Sequence, residues 1–576
     1  MAQTTRELIT LQVGHYANFV GTHWWNLQEA SFMYGTSADT GINHDFLFRE
    51  GITSQRQETY TPRLLCIDVK GSLCSLSSRG SLYSPPHPEP STSEAAWDGP
   101  VDLIQQLPEV KNEYLMDLEQ EDARFYRAAD EDKDICIDEV PEAPFALTQK
   151  IYDLTKSVSV WSDFLRPHLH PSSIYLLNDT SFKTGRATSN SDEGIWGFPS
   201  GSAFFQRDEV EEEVSDRIRL MAESCNSLQG FQVLSNVHDG MGGVCYGVLQ
   251  HLADEYGSKD SITFATTPSH LAPITLQART LMQANILQSY TELIKLSSVF
   301  IPLNLRKHCW DFQASCVTFP NLVLLENNAY IASSVLAAFI DTASLVYRSR
   351  VSPMSLSCVV DFLTPARRNV VGGSLALPLG LSSNQGMLEW LRQGYKPQLV
   401  SLSAGCNFTV EPISELLIIR GISPSRLTRA DTKLPPGVHY NSASQLYSDF
   451  LQECRIPPSE RMVTSVSDPL KLSPPFPSII SGSFTEDGFA NSFGNVAAAG
   501  IIKSAPSEAG LHQSGGMTPL LHDLLTVAEK LDISKVPALL EEGFDKDGWS
   551  GVVEDLRTIT LNYSLNNVDI DSSDDS

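Results

Sequence analysis

The sequence predicts an α/β fold: a mainly parallel sheet with flanking helices, then a central helix, a smaller α+β domain and C-terminal helices. Three observations predict it. Short apolar runs alternate with amphipathic stretches through the first half. A glycine-rich bend, "HDGMGG" (238–243), joins one such run to a helix-like pattern. Strand, loop, helix and strand in that order form a βαβ unit, whose crossover is right-handed in a parallel sheet.

"LITLQV" (8–13) reads as the first strand, stopped by Gly14, and "ANFVGTHWWNLQEASF" as the helix after it. "RLLCIDV" (63–69) is a second buried strand. From 83 to 148 the pattern breaks into a Pro- and Ser-rich stretch and then an acidic run, which reads as a mobile insertion. "EEEVSDRIRLMAESCNSL" is helical, with Val214, Ile218 and Met221 on one face. "QGFQVLSNV" is the next strand, and Val248, Leu249, Leu252 and Tyr256 stripe the helix that follows, with Gly257 as its C-cap. "SITFATTP" is a further strand.

In the second half "RNVVGGSLALPL" and "SELLIIRGI" read as strands, and the region around "SPPFPSII" as loop. Thr518 is placed to cap a helix with Pro519 at its first position. Trp549, Val552, Val553, Leu556 and Ile559 mark a last amphipathic helix. The expected divisions are 1–82 and 149–350 for the sheet domain and central helix, with the insertion 83–148 between them. After these come 351–466 for the second domain, 467–516 for a loop-rich segment, 517–565 for the C-terminal helices and 566–576 for an acidic disordered tail.

A net charge of -28 argues against nucleic acid, which needs clustered Lys and Arg, and against simple adsorption to anionic lipid. Ten scattered cysteines without a C-x-x-C pair point to reduced thiols. No run reaches the ~18 apolar residues of a membrane span, so any membrane contact is expected to be peripheral.

The bend carries the chemical question. A helix N-terminus presents free N–H groups, and glycines let backbone wrap phosphate. Gly240, Gly242 and Gly243 meet that need, although a tight strand-to-helix turn wants glycine in any case. The spacing fits neither G-x-x-x-x-G-K-[ST] nor G-x-G-x-x-G. Other candidates are weaker. His168 and His170 lack a third ligand at a useful spacing, "GFPSGS" is no nucleophile elbow, and Cys245 has no visible base. Trp24 and Trp25 are tempting as a contact surface, but core packing of the first helix is the reading for one of them.

"AESCNSLQGFQVLSNVHDGMGG" resembles the tubulin stretch in which "LQGFQ" leads into "GGGTGSG". "RELITLQVGHYANFVG" is similar to the tubulin opening Q-x-G-Q-x-G-N-Q-I-G, and "ETYTPRLLCIDVKGSL" to its Y-V-P-R-x-x-x-V-D-L-E-P. The opening through "HWWN", "QETYTPRLLCIDVKGSL" and "VWSDFLRPHLHP" look like hallmarks of the misato family, tubulin-related proteins of eukaryotes. The resemblance implies a tubulin-like fold with a Rossmann-like sheet. It also implies a role in mitochondrial distribution, morphology and fusion, from the cytosol and the mitochondrial outer membrane. The expected partners are outer-membrane or fusion machinery, with tubulin or the cytosolic chaperonin as further possibilities.

Carried over residue by residue, the resemblance leaves a vestigial nucleotide pocket of Gly14, His15, Asn18, Asp68, Lys70, Gly240, Gly242, Gly243 and Thr342. Gly14, Asn18 and Asp68 match the tubulin pattern. His15 replaces a Gln, and Lys70 replaces the Glu associated with Mg²⁺. His238 and Asp239 stand at glycine positions, Met241 replaces Thr, and Thr342 falls where an Asn reads guanine. The expectation is therefore a non-enzymatic factor with no catalytic residue, metal or required cofactor. Two alternatives stay open. One is a GTP-binding or GTP-hydrolysing, polymer-forming protein, in which Lys70 could meet phosphate without Mg²⁺. The other is a tubulin-assembly or spindle factor.

Overall fold

The apolar runs of the first half become strands because they are buried on both faces, the condition of a parallel sheet covered by helices. The computed structural model describes residues 6–32, 41–52, 58–83, 110–131, 150–177, 196–270, 275–350 except 312 and 326, 353–393, 399–428 except 409, 439–454, 461–491 except 482 and 483, and 502–564 except 542 and 543. Its first strands are β1 (Glu7–Val13), β2 (Phe48–Ile52), β3 (Glu58–Pro62), β4 (Leu64–Val69), β5 (Ile174–Leu177), β6 (Leu228–Asn236), β7 (Asp260–Thr266) and β8 (Val299–Leu303). β2 and β3 pair as a separate hairpin, while the other six form one sheet in the order β5-β4-β1-β6-β7-β8. Every neighbouring pair in that sheet is parallel.

Alternation along β1 feeds two cores. Ile9, Leu11 and Val13 pack with the helices Asp208–Glu223, Met241–Glu255 and Leu276–Leu296. Leu8 faces the first helix (His15–Ser31) and the central helix (Ala329–Ala343). Both Trp24 and Trp25 are fully buried in that second core. The C-terminal helices Thr518–Lys530 and Lys546–Ser564 pack on the same core as Leu276–Leu296. The chain moves one way from β1 to β4 and β5, and the other way through β6, β7 and β8. β1 and β6 therefore flank the switch point, outside whose carboxyl ends such sheets hold ligands.

A second sheet contains β9 (Gly372–Ala376), β10 (Val400–Ser401), β11 (Ser414–Arg420) and β12 (Arg461–Val466). Two short strands, β13 (Leu470–Lys471) and β14 (Ser504–Ala505), pair with each other, and β15 (Ser507–Gln513) completes the second sheet in the order β10-β9-β15-β11-β12. One of its faces meets the central helix; the other is covered by the helices Met387–Arg392 and Ala443–Glu453.

Four expectations need correction. The second domain does not stop at 466, because β15, inside the segment read as loop, lies mid-sheet between β9 and β11. Within the insertion 83–148, a helix spans Glu113–Glu131. The Asn112 side chain accepts from the Leu115 amide at 2.9 Å, Tyr114 is fully buried, and Lys150 reaches Asp117 at 2.5 Å. Residues 84–109, 132–149 and the tail 566–576 lie outside the described residues. Thr518 does not cap its helix: a short turn capped by Ser514 (its Oγ accepting from the Gly516 amide at 2.9 Å) runs straight into it, and the Thr518 hydroxyl donates to the Tyr563 carbonyl. Gly257 follows the cap Tyr256, and glycine is needed there because a Cβ would lie 2.8 Å from the Ala253 carbonyl oxygen.

A candidate functional site: the closed cradle between two helix N-termini

The first helix starts directly after β1, at Gly14, whose φ of 105° favours glycine. A Cβ there would lie 2.6 Å from the Asn236 side chain. Asn236 ends β6, so the register of the two strands brings it across the first helix N-terminus. Its Oδ1 accepts from the Ala17 amide at 2.8 Å. This is an N-cap supplied by another strand.

The Asn236 Nδ2 in turn donates to Asp239 Oδ2 at 2.9 Å, and Asp239 Oδ1 accepts from the Met241 amide at 3.0 Å. Met241 opens the helix that follows the glycine bend. One carboxylate and one amide thus link the N-termini of two helices. A phosphate entering here would have to displace both. At ~4 Å and an effective dielectric constant of about 20, each pair of like unit charges costs roughly 4 kcal/mol, more than an exposed lysine returns through screened attraction.

The bend's glycines have a second reason to be glycine. A Cβ at Gly240 would sit 2.4 Å from the Trp196 ring, at Gly242 2.1 Å from Ser289 Oγ, and at Gly243 2.0 Å from the Phe198 carbonyl oxygen. They admit protein, not open space. The helix Phe198–Phe205 lies across the bend. Asn285 fastens it there: its Oδ1 accepts from the Phe198 amide at 2.8 Å, and its Nδ2 donates to the carbonyls of Trp196 and His238.

Asp68, the second-loop aspartate, is buried among donors. It accepts from Asn18 Nδ2 at 3.0 Å, Trp161 Nε1 at 2.8 Å and the Val69 amide at 2.8 Å, with His15 Nδ1 at 3.2 Å. Burial alone would raise its pKa, but the His15 charge and the bonds from His15, Asn18 and Val69 outweigh it and hold the carboxyl below its ordinary range. Its Oδ2 takes three of these bonds and its Oδ1 the Val69 amide, so a metal ion entering here would compete with them. Lys70 lies exposed past the end of β4, with no hydrogen bond or ion pair among the described residues. Burial holds the His238 pKa below its ordinary value, with Arg306 lowering it further against the opposing Asp239.

The structure therefore brings together Gly14, His15, Asn18, Asp68, Gly240, Gly242 and Gly243. Lys70, exposed past the end of β4, is not among them, and neither is Thr342. It lies near the C-terminal end of the central helix, fully buried, with its hydroxyl on the Ala338 carbonyl and on Ser507 of β15. The tubulin resemblance places it where an Asn reads guanine; its hydroxyl instead joins the helix to the second sheet. Asn236, Asn285 and Trp161 were not anticipated. Asn236 alone had a local signal, a polar residue at the end of an apolar strand.

Outside the cradle, His168 Nδ1 meets Ser81 and its Nε2 faces Asp122, while His170 caps the turn Pro171–Ser173. Cys245 is fully buried, and burial pushes its thiol up to about 12, so it packs rather than reacts. Among the described residues no helix is long and apolar enough to cross a membrane.

Residues 6–120 match a family model described as the Misato Segment II tubulin-like domain, and residues 152–349 one described as a tubulin domain. The chain is 31% identical to Protein misato homolog 1 of Danio rerio over 98% of both chains, and 30% identical to that of Bos taurus over 98% of both. Protein misato of Drosophila melanogaster is 29% identical over 96% of this chain and 97% of its own. The two tubulin-like segments are those that build the parallel sheet and its glycine bend, and the likeness continues through the second sheet and the C-terminal helices: the chain belongs to the misato family.

Proposed function

We propose that this tubulin-like chain acts by binding, without a GTPase cycle, in mitochondrial distribution, morphology and fusion, working from the cytosol and the outer mitochondrial surface. The non-enzymatic half rests on one observation: the N–H groups of Ala17 and Met241, which would meet phosphate, already serve Asn236 and Asp239. A nucleotide triphosphate with Mg²⁺ does not fit this donor set. Asp239 adds an anion where phosphate would bring more, and Asp68 is committed to Asn18, Trp161 and His15. The mitochondrial half rests on family membership, and the partner is proposed to belong to the outer-membrane or fusion machinery.

Two measurements test the halves separately. Calorimetric titration of the full chain with GTP and GDP, with and without Mg²⁺, is expected to give no saturable heat. A micromolar site would overturn the binding-only reading. Subcellular fractionation with protease protection is expected to leave a share of the protein on the outer face of mitochondria. A protein found wholly with tubulin or the chaperonin, and never with mitochondria, would overturn the other half.

A further inference from the structure

Three sulfur-bearing side chains meet where the two sheets and the C-terminal helices join. Cys309 follows β8 of the first sheet, Cys406 follows β10 of the second, and Met517 closes the short turn that leads into the helix Thr518–Lys530. Backbone contacts hold the two loops side by side: the Asn304 amide donates to the Leu402 carbonyl at 2.8 Å, and the Ser403 hydroxyl donates to the Pro302 carbonyl at 2.7 Å. We propose that Cys309, Cys406 and Met517 form a binding site for one soft monovalent metal ion, Cu(I), held at this joint by two thiolates and a thioether.

Cys406 Sγ stands 3.3 Å from Met517 Sδ. Sulfurs bound at ~2.3 Å to one metal stand about 4 Å apart in a trigonal arrangement, and the unbranched methionine side chain has the rotatable bonds to open that far. The Cys309 and Cys406 sulfurs are close enough for charge on the first to be felt at the second. Cys309 and Met517 are fully buried, whereas Cys406 is half-buried, which leaves an ion a way in.

The surroundings of Cys309 supply a second, independent sign. Its sulfur receives the Tyr290 hydroxyl and the backbone N–H groups of Cys309 and Trp310, and the Arg306 guanidinium adds positive charge beside it. A neutral thiol in an apolar core gains little from three donors; a metal-bound thiolate is what such donors stabilise. Cu(I) with two thiolates bears one net negative charge, which Arg306 offsets. Ligand softness selects the ion. Among the described residues no three His, Cys, Asp or Glu side chains converge to hold a metal. A set that counts a thioether as its third ligand favours Cu(I) over Zn(II), which takes Cys, His and carboxylate ligands. Burial pushes the Cys309 thiol up to about 12 and raises that of Cys406, so both carry protons at neutral pH and each ion bound releases two.

The test is an anaerobic titration of the reduced full-length chain with Cu(I) in competition with bicinchoninate, a coloured chelator. The wild type is expected to withdraw one ion, to release two protons with it and to melt higher afterwards. X-ray absorption of the complex is expected to show sulfur alone around the copper. Met517→Leu conserves core volume and is expected to lose affinity on the order of tenfold. Cys406→Ser is expected to lose the site. The exposed thiols provide the control: Cys358→Ser combined with Cys454→Ser is expected to bind as the wild type does. Should Cys406→Ser fail to fold, Met517→Leu and the sulfur-only shell of the wild type still decide the matter. A wild type that leaves the copper with the chelator would overturn the proposal. So would nitrogen or oxygen in the coordination shell, or binding that survives Met517→Leu undiminished and vanishes with the exposed thiols. None of these results depends on whether the chain binds GTP.

Discussion

Asp68 and Asp341 are both buried, and their surroundings neutralise them differently. At the mouth of the first sheet Asp68 is surrounded by neutral donors and one histidine. At the joint between the central helix and the second sheet Asp341 is gripped by Arg348 at 2.8 Å and by Arg420 of β11, with Gln28 of the first helix at 2.6 Å. Both arginines are buried. Burial would raise the Asp341 pKa, but Arg420 and then Arg348 hold it below its ordinary value. Formal charge has been invested in the joint, where it ties three elements together. The mouth has been closed with hydrogen bonds and one tethered anion. A structural tie needs both partners to stay, whereas a ligand site needs donors left waiting, and at the two helix starts the Ala17 and Met241 amides are already taken.

The joint should be the harder of the two to break. Asp341→Asn leaves two buried guanidinium groups without their counter-ion and is expected to cost about 3–5 kcal/mol by urea unfolding. A cost no larger than that at Asp68 would undo the contrast. The second sheet offers a sharper, pH-dependent comparison. Glu508 on β15 is almost wholly buried, its Oε1 has no hydrogen-bond partner, and burial followed by the nearby Glu415 raises its pKa from 4.5 to about 8. The folded protein keeps this proton where the unfolded chain has released it. Stability therefore falls as pH rises between the two values and is flat below the lower one. Glu508→Gln should remove that slope and stabilise the chain at pH 7 by up to ~3 kcal/mol. A slope unchanged in the variant would assign it elsewhere. The smallest effect is expected at the mouth: Asp68→Asn should cost about 1–2 kcal/mol, since its one ionisable partner, His15, is partly exposed and no fully buried charge loses its counter-ion.

The same contrast explains what could be read from the chain. β1, β4, β6 and β7 are apolar runs joined by periodic helices, so these four strands of the first sheet were legible, whereas its edge strands β5 and β8 were not read. The glycine bend, Asp68 and Asn18 were legible as a group because they lie beside strand ends. β15 was not. "SEAGLHQ" is largely polar, yet all seven residues are buried, because Ser507 bonds Thr342 and Glu508 stays protonated in an apolar layer. Such a strand is chosen by its neighbours β9 and β11, not by its own pattern. Thr342 failed for a related reason: a short motif match carries no information about which end of a helix faces the sheet's mouth. Asn285 and Trp161 act across 87 and 93 residues of sequence, a distance over which local pattern says nothing.

The central claim is that the cradle is filled by the chain's own side chains. It is tested most directly by denaturing the protein, purified without added nucleotide, and chromatographing what it releases. The account predicts no guanine nucleotide above trace. A stoichiometric yield of GTP or GDP would contradict it.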